Sequence, residues 1–452
     1  MPCKYLFLLP VLALGACASL DAGDAAYARQ DYAGALKAWQ PQAAEGRVEA
    51  ELGLGLLYAN GQGVPADPVQ AQQWFGKAAA QGDARAQSAL GQLFSEGTPD
   101  YAQALHWFTL AAAQGDVRAE RSLGFMYGSG RGVAQDNAQA LHWYGKAAAQ
   151  GDAEAEYNLA ILYQDGQGVA KDDVQAVQWF QKAAAQGHVG AAFNLGLAYQ
   201  YGQGVVHDYG QAVQWYRKAA TAGDARAENN LGRMYSNGWG VHRDYAQAMQ
   251  WQRKAADQGN AAAQYNVGLL YGKGQGVTQD NAQALAWSRK AADQGYAPAQ
   301  YSVGLAYAYG LGVTQDYDIA VIWYRKAADQ GYADAATFLG LACIAGQGMP
   351  QDYAEAGRWF RRAAEQGDIT AQINLGTLYE QPAFAGHDLV LAHVFYALAG
   401  AAGDTKAAGN ATRIEQQLSP PQLQEAQALA NSWEPGTPLP ATSKTGQAGA
   451  RP

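Results

Sequence analysis

The side chains best suited to chemistry in this chain come in rows, not in clusters. Asp136, Asp172, Asp208, Asp244, Asp280 and Asp352 could offer acid–base chemistry, yet Gln139, Gln175, Gln211, Gln247, Gln283 and Glu355 follow each by three residues. That is the spacing of a capping box, with Asp in place of Ser or Thr. Asp316, followed by Ile319, departs from it. Each cap contributes about 1 kcal/mol, so these carboxylates are expected to start helices. A glycine turn precedes them, as in Gly166-Gln167-Gly168-Val169. Such a turn could cradle phosphate only after a strand and before G-K-[ST], and it has neither. The seven histidines are scattered. No H-E-x-x-H, C-x-x-C, S-x-x-K or G-x-S-x-G spacing occurs. No catalytic residue, metal or cofactor is therefore expected. The remaining row is amide: Asn158, Asn194, Asn230, Asn266 and Asn374, with Ser122 and Ser302 in the same slot. Each amide offers a donor and an acceptor, as gripping an extended backbone requires. Tyr157, Phe193, Tyr265 and Tyr301 stand one residue earlier, where aromatic area beside hydrogen bonds suits an interface.

A strict period positions these rows. Trp107, Trp143, Trp179, Trp215, Trp251, Trp287, Trp323 and Trp359 stand 36 residues apart, preceded by Trp39 and Trp74. Phe395 takes the same place in a last, degenerate unit. A period of this length marks stacked supersecondary units, none of which buries its apolar face alone. Within one unit, Ala155, Leu159 and Tyr163 form an apolar helical stripe. Ala176, Trp179, Phe180, Ala183 and Ala184 form a second. A glycine follows the leucine in most units (Ala160 is the exception), which allows close approach of a neighbouring helix. The tryptophans are expected in the core, at about 3–5 kcal/mol each on truncation to Ala. Lys146, Lys182, Lys218, Lys254, Lys290 and Lys326 are expected as a solvated ladder complementing helix C-termini.

The fold class is thus all-α: a right-handed α-solenoid of stacked antiparallel helix pairs. Residues 24–403 would hold about ten full pairs and a partial first unit. Residues 404–434 would form capping helices, and the Pro-, Thr-, Ser- and Gly-rich stretch 435–452 a disordered tail that folding does not need.

The N-terminus is a different kind of segment. Lys4 and the apolar run Tyr5 to Leu14 form a stretch too short to span a bilayer. Leu14-Gly15-Ala16-Cys17 resembles the bacterial lipobox. By that resemblance, residues 1–16 are a lipoprotein signal peptide, Cys17 is lipidated, and 17–23 are a linker. Ala18 and Ser19 fit outer-membrane retention, so the expected place is the bacterial cell envelope, facing the periplasm. The ordinary alternative is a secretory signal cut after a small residue. Cys343, the one cysteine left in the mature body, lies in a tyrosine slot and is expected as an inert buried thiol. A net charge of −9 argues against nucleic acid as partner.

The L-G-x-x-Y, G-x-G-V and W-x-x-K-A-A elements together resemble the Sel-one-like repeat, a relative of the tetratricopeptide repeat. The resemblance implies a non-catalytic adaptor that binds a protein along the concave face, with assembly of an outer-membrane complex as its setting. It also implies that the residue before L-G lines that groove; inter-repeat packing is the other reading of the Asn and aromatic rows. Arg233 and Trp239, which break the repeat pattern, mark a candidate recognition patch. Two alternatives stay open. One is a cell-wall or β-lactam-interacting enzyme, of the kind linked to cysteine-rich relatives, though the paired cysteines are missing and Lys444-Thr445-Gly446 stands alone. The other is a surface or secreted factor acting on a host or competitor.

Overall fold

The computed structural model describes residues 21–440 and 443–445. The signal segment 1–16, Cys17 and the first linker residues lie outside the described residues, as do 441–442 and 446–452 of the tail. Among the described residues there are 24 helices and no strand. They fall into two compact units, one ending at Ala222 and the other beginning at Gly223.

The first unit contains α1 (Ala22–Ala28), α2 (Tyr32–Ala44), α3 (Val48–Asn60), α4 (Pro68–Ala80), α5 (Ala84–Ser95) and α6 (Tyr101–Ala113). It continues with α7 (Val117–Ser129), α8 (Asn137–Ala149), α9 (Ala153–Asp165), α10 (Asp173–Ala185), α11 (Val189–Tyr201) and α12 (Tyr209–Thr221). The second unit contains α13 (Ala225–Asn237), α14 (Tyr245–Asp257), α15 (Ala261–Lys273), α16 (Asn281–Asp293), α17 (Ala297–Tyr309) and α18 (Tyr317–Asp329). It ends with α19 (Ala333–Ala345), α20 (Tyr353–Ala364), α21 (Ile369–Glu380), α22 (Leu389–Ala401), α23 (Thr405–Glu415) and α24 (Pro420–Ser432). Within each unit, successive helices pack against one another, except that α24 packs on α22 and not on α23.

One pair shows why the chain folds this way. Asp152 starts α9 by accepting from the Ala155 amide. Gly166 ends it with φ of 69°, and its N–H donates to the Leu162 carbonyl. A left-handed residue of this kind closes a helix at no Cβ cost. The second turn glycine, Gly168, also has positive φ, and a Cβ there would strike the Asn137 backbone at the start of α8. So the first glycine ends the helix and the second lets successive pairs touch. Asp172 then starts α10, accepting from Val174 and Gln175 amides. Near the start of α9, Glu156 meets Gln186 at the end of α10, which makes the pair antiparallel.

The aspartates expected as caps do cap, including Asp316, which accepts from the Ile319 amide. The reciprocal half of the capping box is a different matter. Among the described residues, the two-way box forms at Ser419 and Gln422, at the start of α24. A second row of caps opens the first helices, through Asp83, Asp116, Asp152, His188, Asp224, Asn260 and Asp368.

The core differs from the expected one in which ring lies innermost. Trp39, Trp287 and Trp323 are buried, but Trp74, Trp107, Trp143, Trp179, Trp215, Trp251 and Trp359 are only half-buried. The next residue takes the inner place: Phe75, Phe108, Tyr144, Phe180, Tyr216, Tyr324 and Phe360 are all buried. The glycine after the leucine makes room for that ring. A Cβ on Gly124 would stand 2.6 Å from Cδ1 of Tyr144, and one on Gly304 at the same distance from Cδ1 of Tyr324. Gln252 and Ser288 replace the ring in two units.

The tail also departs from expectation over its described part. Leu439 is buried and joins the core beside Leu391 and Phe395. Pro-rich composition removes donors and fixes φ, but it does not stop a single leucine from anchoring the segment.

Candidate protein-binding surface

The tryptophan row is braced from outside as well as inside. Lys77, Lys146, Lys182, Lys218, Lys254, Lys290 and Lys326 place Nζ 3.6–4.6 Å from the ring centroid of the tryptophan three residues earlier. The lysines stay exposed, as a solvated ladder does, and each also lies over a ring. Each covers the outer face of an indole whose inner face packs on the core, an attraction worth about 0.5–1 kcal/mol at exposed sites.

A second brace crosses the same ends of the pairs. Gln81 donates to buried Glu51, Gln150 to Glu120, Gln186 to Glu156 and Gln258 to Glu228, each at 2.8 Å. Gln330 does the same to Gln300 at 2.8 Å. Sequence reasoning missed this row. Its signal was the glutamine preceding the closing glycine, with Glu or Gln recurring thirty residues before it.

The asparagine row splits three ways. Asn158 and Asn374 turn Nδ2 back onto their own helices, donating to the Glu154 and Thr370 carbonyls at 2.9 Å. Asn266 instead reaches the preceding repeat and donates to Oδ1 of buried Asn229 at 2.9 Å. Asn194 and Asn230 are half-buried on α11 and α13. Back-bonded amides keep their oxygen for another donor, so this row retains hydrogen-bonding capacity at a half-exposed position.

The aromatic row packs more than it projects. Tyr157 stacks on His188 at 4.4 Å, and Phe193, itself buried, lies 6.0 Å from Tyr216. Nδ1 of His188 accepts from the Ala191 amide, while Nε2 lies 3.2 Å from Glu154. That hydrogen bond holds the Glu154 carboxyl below the usual range against the opposing effect of burial. In the second unit, Tyr265 meets Tyr296 at 5.6 Å, and Tyr301 meets Tyr332 at 5.3 Å and Phe338 at 5.5 Å. Tyr296 and Tyr332 occupy N-cap positions without capping, so α17 and α19 exchange a helix cap for ring contact. Burial pushes the Tyr301 and Tyr332 hydroxyls up, Tyr332 to about 12.

The remaining candidates sit apart along the chain. Arg233 is exposed on α13, and Trp239 is half-buried in the turn that follows it. Cys343 is buried, its Sγ 3.5 Å from the Met349 sulfur. Burial pushes its thiol up to about 11, as an inert core cysteine requires. His106 and His142 are exposed, each edge-on to its neighbouring tryptophan.

The family model described as Sel1 repeat matches ten successive segments between residues 48 and 404. A protective antigen of uropathogenic Escherichia coli strains, displaying an SLR fold, is 34% identical. The match covers 87% of this chain and 93% of that one, with a TM-score of 0.60. A Sel1 repeat protein from Oxalobacter formigenes is also 34% identical, over 69% of this chain and 93% of its own, with a TM-score of 0.56. No curated protein matches.

Proposed function

The chain belongs to the Sel1 repeat family, and on that premise we propose that it is a non-catalytic scaffold holding a protein partner along its first helices. The observation that carries this reading is a recurrence. One slot, half-exposed at Asn158, Asn194, Asn230, Asn266 and Asn374, bears a side-chain amide in five repeats. The Gln–Glu braces hold the helix pairs together elsewhere, so this row, apart from the Asn266–Asn229 bond between repeats, can serve recognition without carrying the stack. Repeat proteins bind through extended surfaces of this kind.

The setting follows from the N-terminal sequence. Cys17 carries the lipid in this reading and tethers the body to the outer membrane on its periplasmic side, where the partner belongs to an envelope complex. Chemical cross-linking in intact cells, followed by capture of the chain, tests the reading. One dominant envelope protein, lost when Asn194 and Asn230 are both changed to Arg, supports it. Unaltered capture by that variant contradicts it. Membrane fractionation of a Cys17→Ser variant tests the anchor, which predicts release into the soluble fraction.

A second orientation has one observation in its favour: the Escherichia coli neighbour is a protective antigen. Surface display of the present chain would make it accessible to protease on intact cells, and periplasmic display would protect it.

A further inference from the structure

The C-terminal segment lies on a built surface of the second unit. The guanidinium of Arg361, on α20, donates from Nη1 to the Leu439 and Pro440 carbonyls at 3.1 and 2.9 Å. Its Nη2 is fixed by the Tyr379 hydroxyl at 2.7 Å. Glu365, at the end of α20, accepts from the Gly436 amide through its carbonyl at 2.7 Å, and from the Leu439 amide through its carboxylate at 3.3 Å. The Leu439 side chain, 5% exposed, fills an apolar site with Leu391 and Phe395 of α22. Beyond it, the Ser443 hydroxyl donates to Oδ2 of Asp388 at 2.6 Å. Asp388 is only 4% exposed, and its other oxygen caps α22. Glu425 of α24 accepts from the Lys444 and Thr445 amides and from the Thr445 hydroxyl.

These contacts have the form of peptide recognition. One guanidinium reads two consecutive carbonyls, one pocket takes a leucine, and carboxylates take a hydroxyl and amides beside a lysine. Pro435, Pro438 and Pro440 favour an extended segment with little ordering cost. The surface is made mainly by second helices and the terminal helix, with Tyr379 of α21 bracing Arg361.

We propose that this groove of α20, α22 and α24 is a binding site for an extended partner segment, and that residues 433–440 and 443–445 occupy it as a tethered competitor. The partner segment carries leucine followed by proline, with Ser or Thr next to a basic residue a few positions on. A tethered segment competes at an effective concentration that reaches the millimolar range for short linkers, so a free peptide enters poorly until the tail is released. The inference deepens the scaffold reading by adding a second contact site. Its probe is the chain's own sequence, so it can fail while first-helix capture succeeds.

The test adds a fluorescein-labelled peptide of residues 433–445 to the full chain and to a full-chain Leu439→Asp, Ser443→Ala variant. Anisotropy is expected to show at least tenfold tighter binding to the variant, and an unlabelled peptide carrying Leu439→Asp is expected not to compete. Equal binding to both chains, or none to a variant of unchanged helical circular dichroism, overturns the proposal. If the variant loses helical signal, hydrogen exchange of the unmodified chain decides. Protection of the Gly436 and Leu439 amides that falls as free peptide is added supports the site, and exchange at the rate of an unstructured peptide overturns it.

Discussion

The Tyr324 ring lies so close over Gly304 that a Cβ on the glycine would stand 2.6 Å from its Cδ1 and Cε1. Tyr324 is 2% exposed, and its hydroxyl is buried with no hydrogen-bond partner among the described residues. Two effects of opposite sign follow. Gly304→Val overpacks the site and is expected to cost about 3 kcal/mol. Tyr324→Phe removes a desolvated, unsatisfied hydroxyl and is expected to stabilise by about 1 kcal/mol. Gly145 is the control: a Cβ there meets nothing within 4 Å, so Gly145→Ala should gain up to about 1 kcal/mol of helix propensity. Urea denaturation of the three variants reads all three signs.

Adjacent aromatics in one helix should not be equal. Phe180 is buried, whereas Trp179 is half-buried with Lys182 Nζ 3.6 Å from its ring centroid. Phe180→Ala is expected to cost about 3–5 kcal/mol, and Trp179→Ala less. Lys182→Met should cost under about 1 kcal/mol, and should cost nothing once Trp179 is gone. A double-mutant cycle in chemical denaturation checks the pairing; additivity would deny it.

Stability should fall on the alkaline side. Burial raises the Cys343 thiol from its ordinary 9.0 to about 11 and the Tyr332 hydroxyl from 10.0 to about 12. Both folded-state values exceed the unfolded ones, so the folded chain holds these protons more tightly. Their contribution is complete below pH 9 and is lost as pH rises from there through about 12. Tyrosinate absorbance near 295 nm, followed alongside circular dichroism, should show the late-titrating tyrosines ionising together with loss of helix. Cys343 should resist thiol reagents until the same point.

Removing the tail should weaken the second unit. Truncation after Glu434 uncovers the site that Leu439 fills, a burial worth about 1.5–3 kcal/mol. A lower melting temperature is expected, with Leu439→Ala reproducing most of the change. An unchanged melting curve would leave the docked segment without energetic weight.

Much of this architecture is legible in the sequence because it is written locally and repeatedly. Gly166 announces the end of α9 and Asp172 the start of α10 within a few residues of each other. Which aromatic lies inside was not legible. Trp179 and Phe180 are adjacent, both fall on a broad apolar stripe, and only the space over the neighbouring first helix ranks them. Lys182 read as a helix-end charge because a three-residue spacing fits both a macrodipole and a ring contact. The Gln186–Glu156 brace needed a pairing thirty residues apart, which local periodicity does not report. Leu439 was hidden by its neighbours, since composition weighs a segment as a whole and one anchored side chain escapes it.

The central claim is that the half-exposed slot before the leucine is where a partner protein lies. A photo-reactive amino acid placed singly at Asn158, Asn194, Asn230, Asn266 and Asn374 in living cells tests it most directly, with Lys146, Lys182 and Lys218 as opposing positions. The account predicts one cross-linked partner from the first set and little from the second. Equal labelling from both sets, or partners only at the lysines, would contradict it.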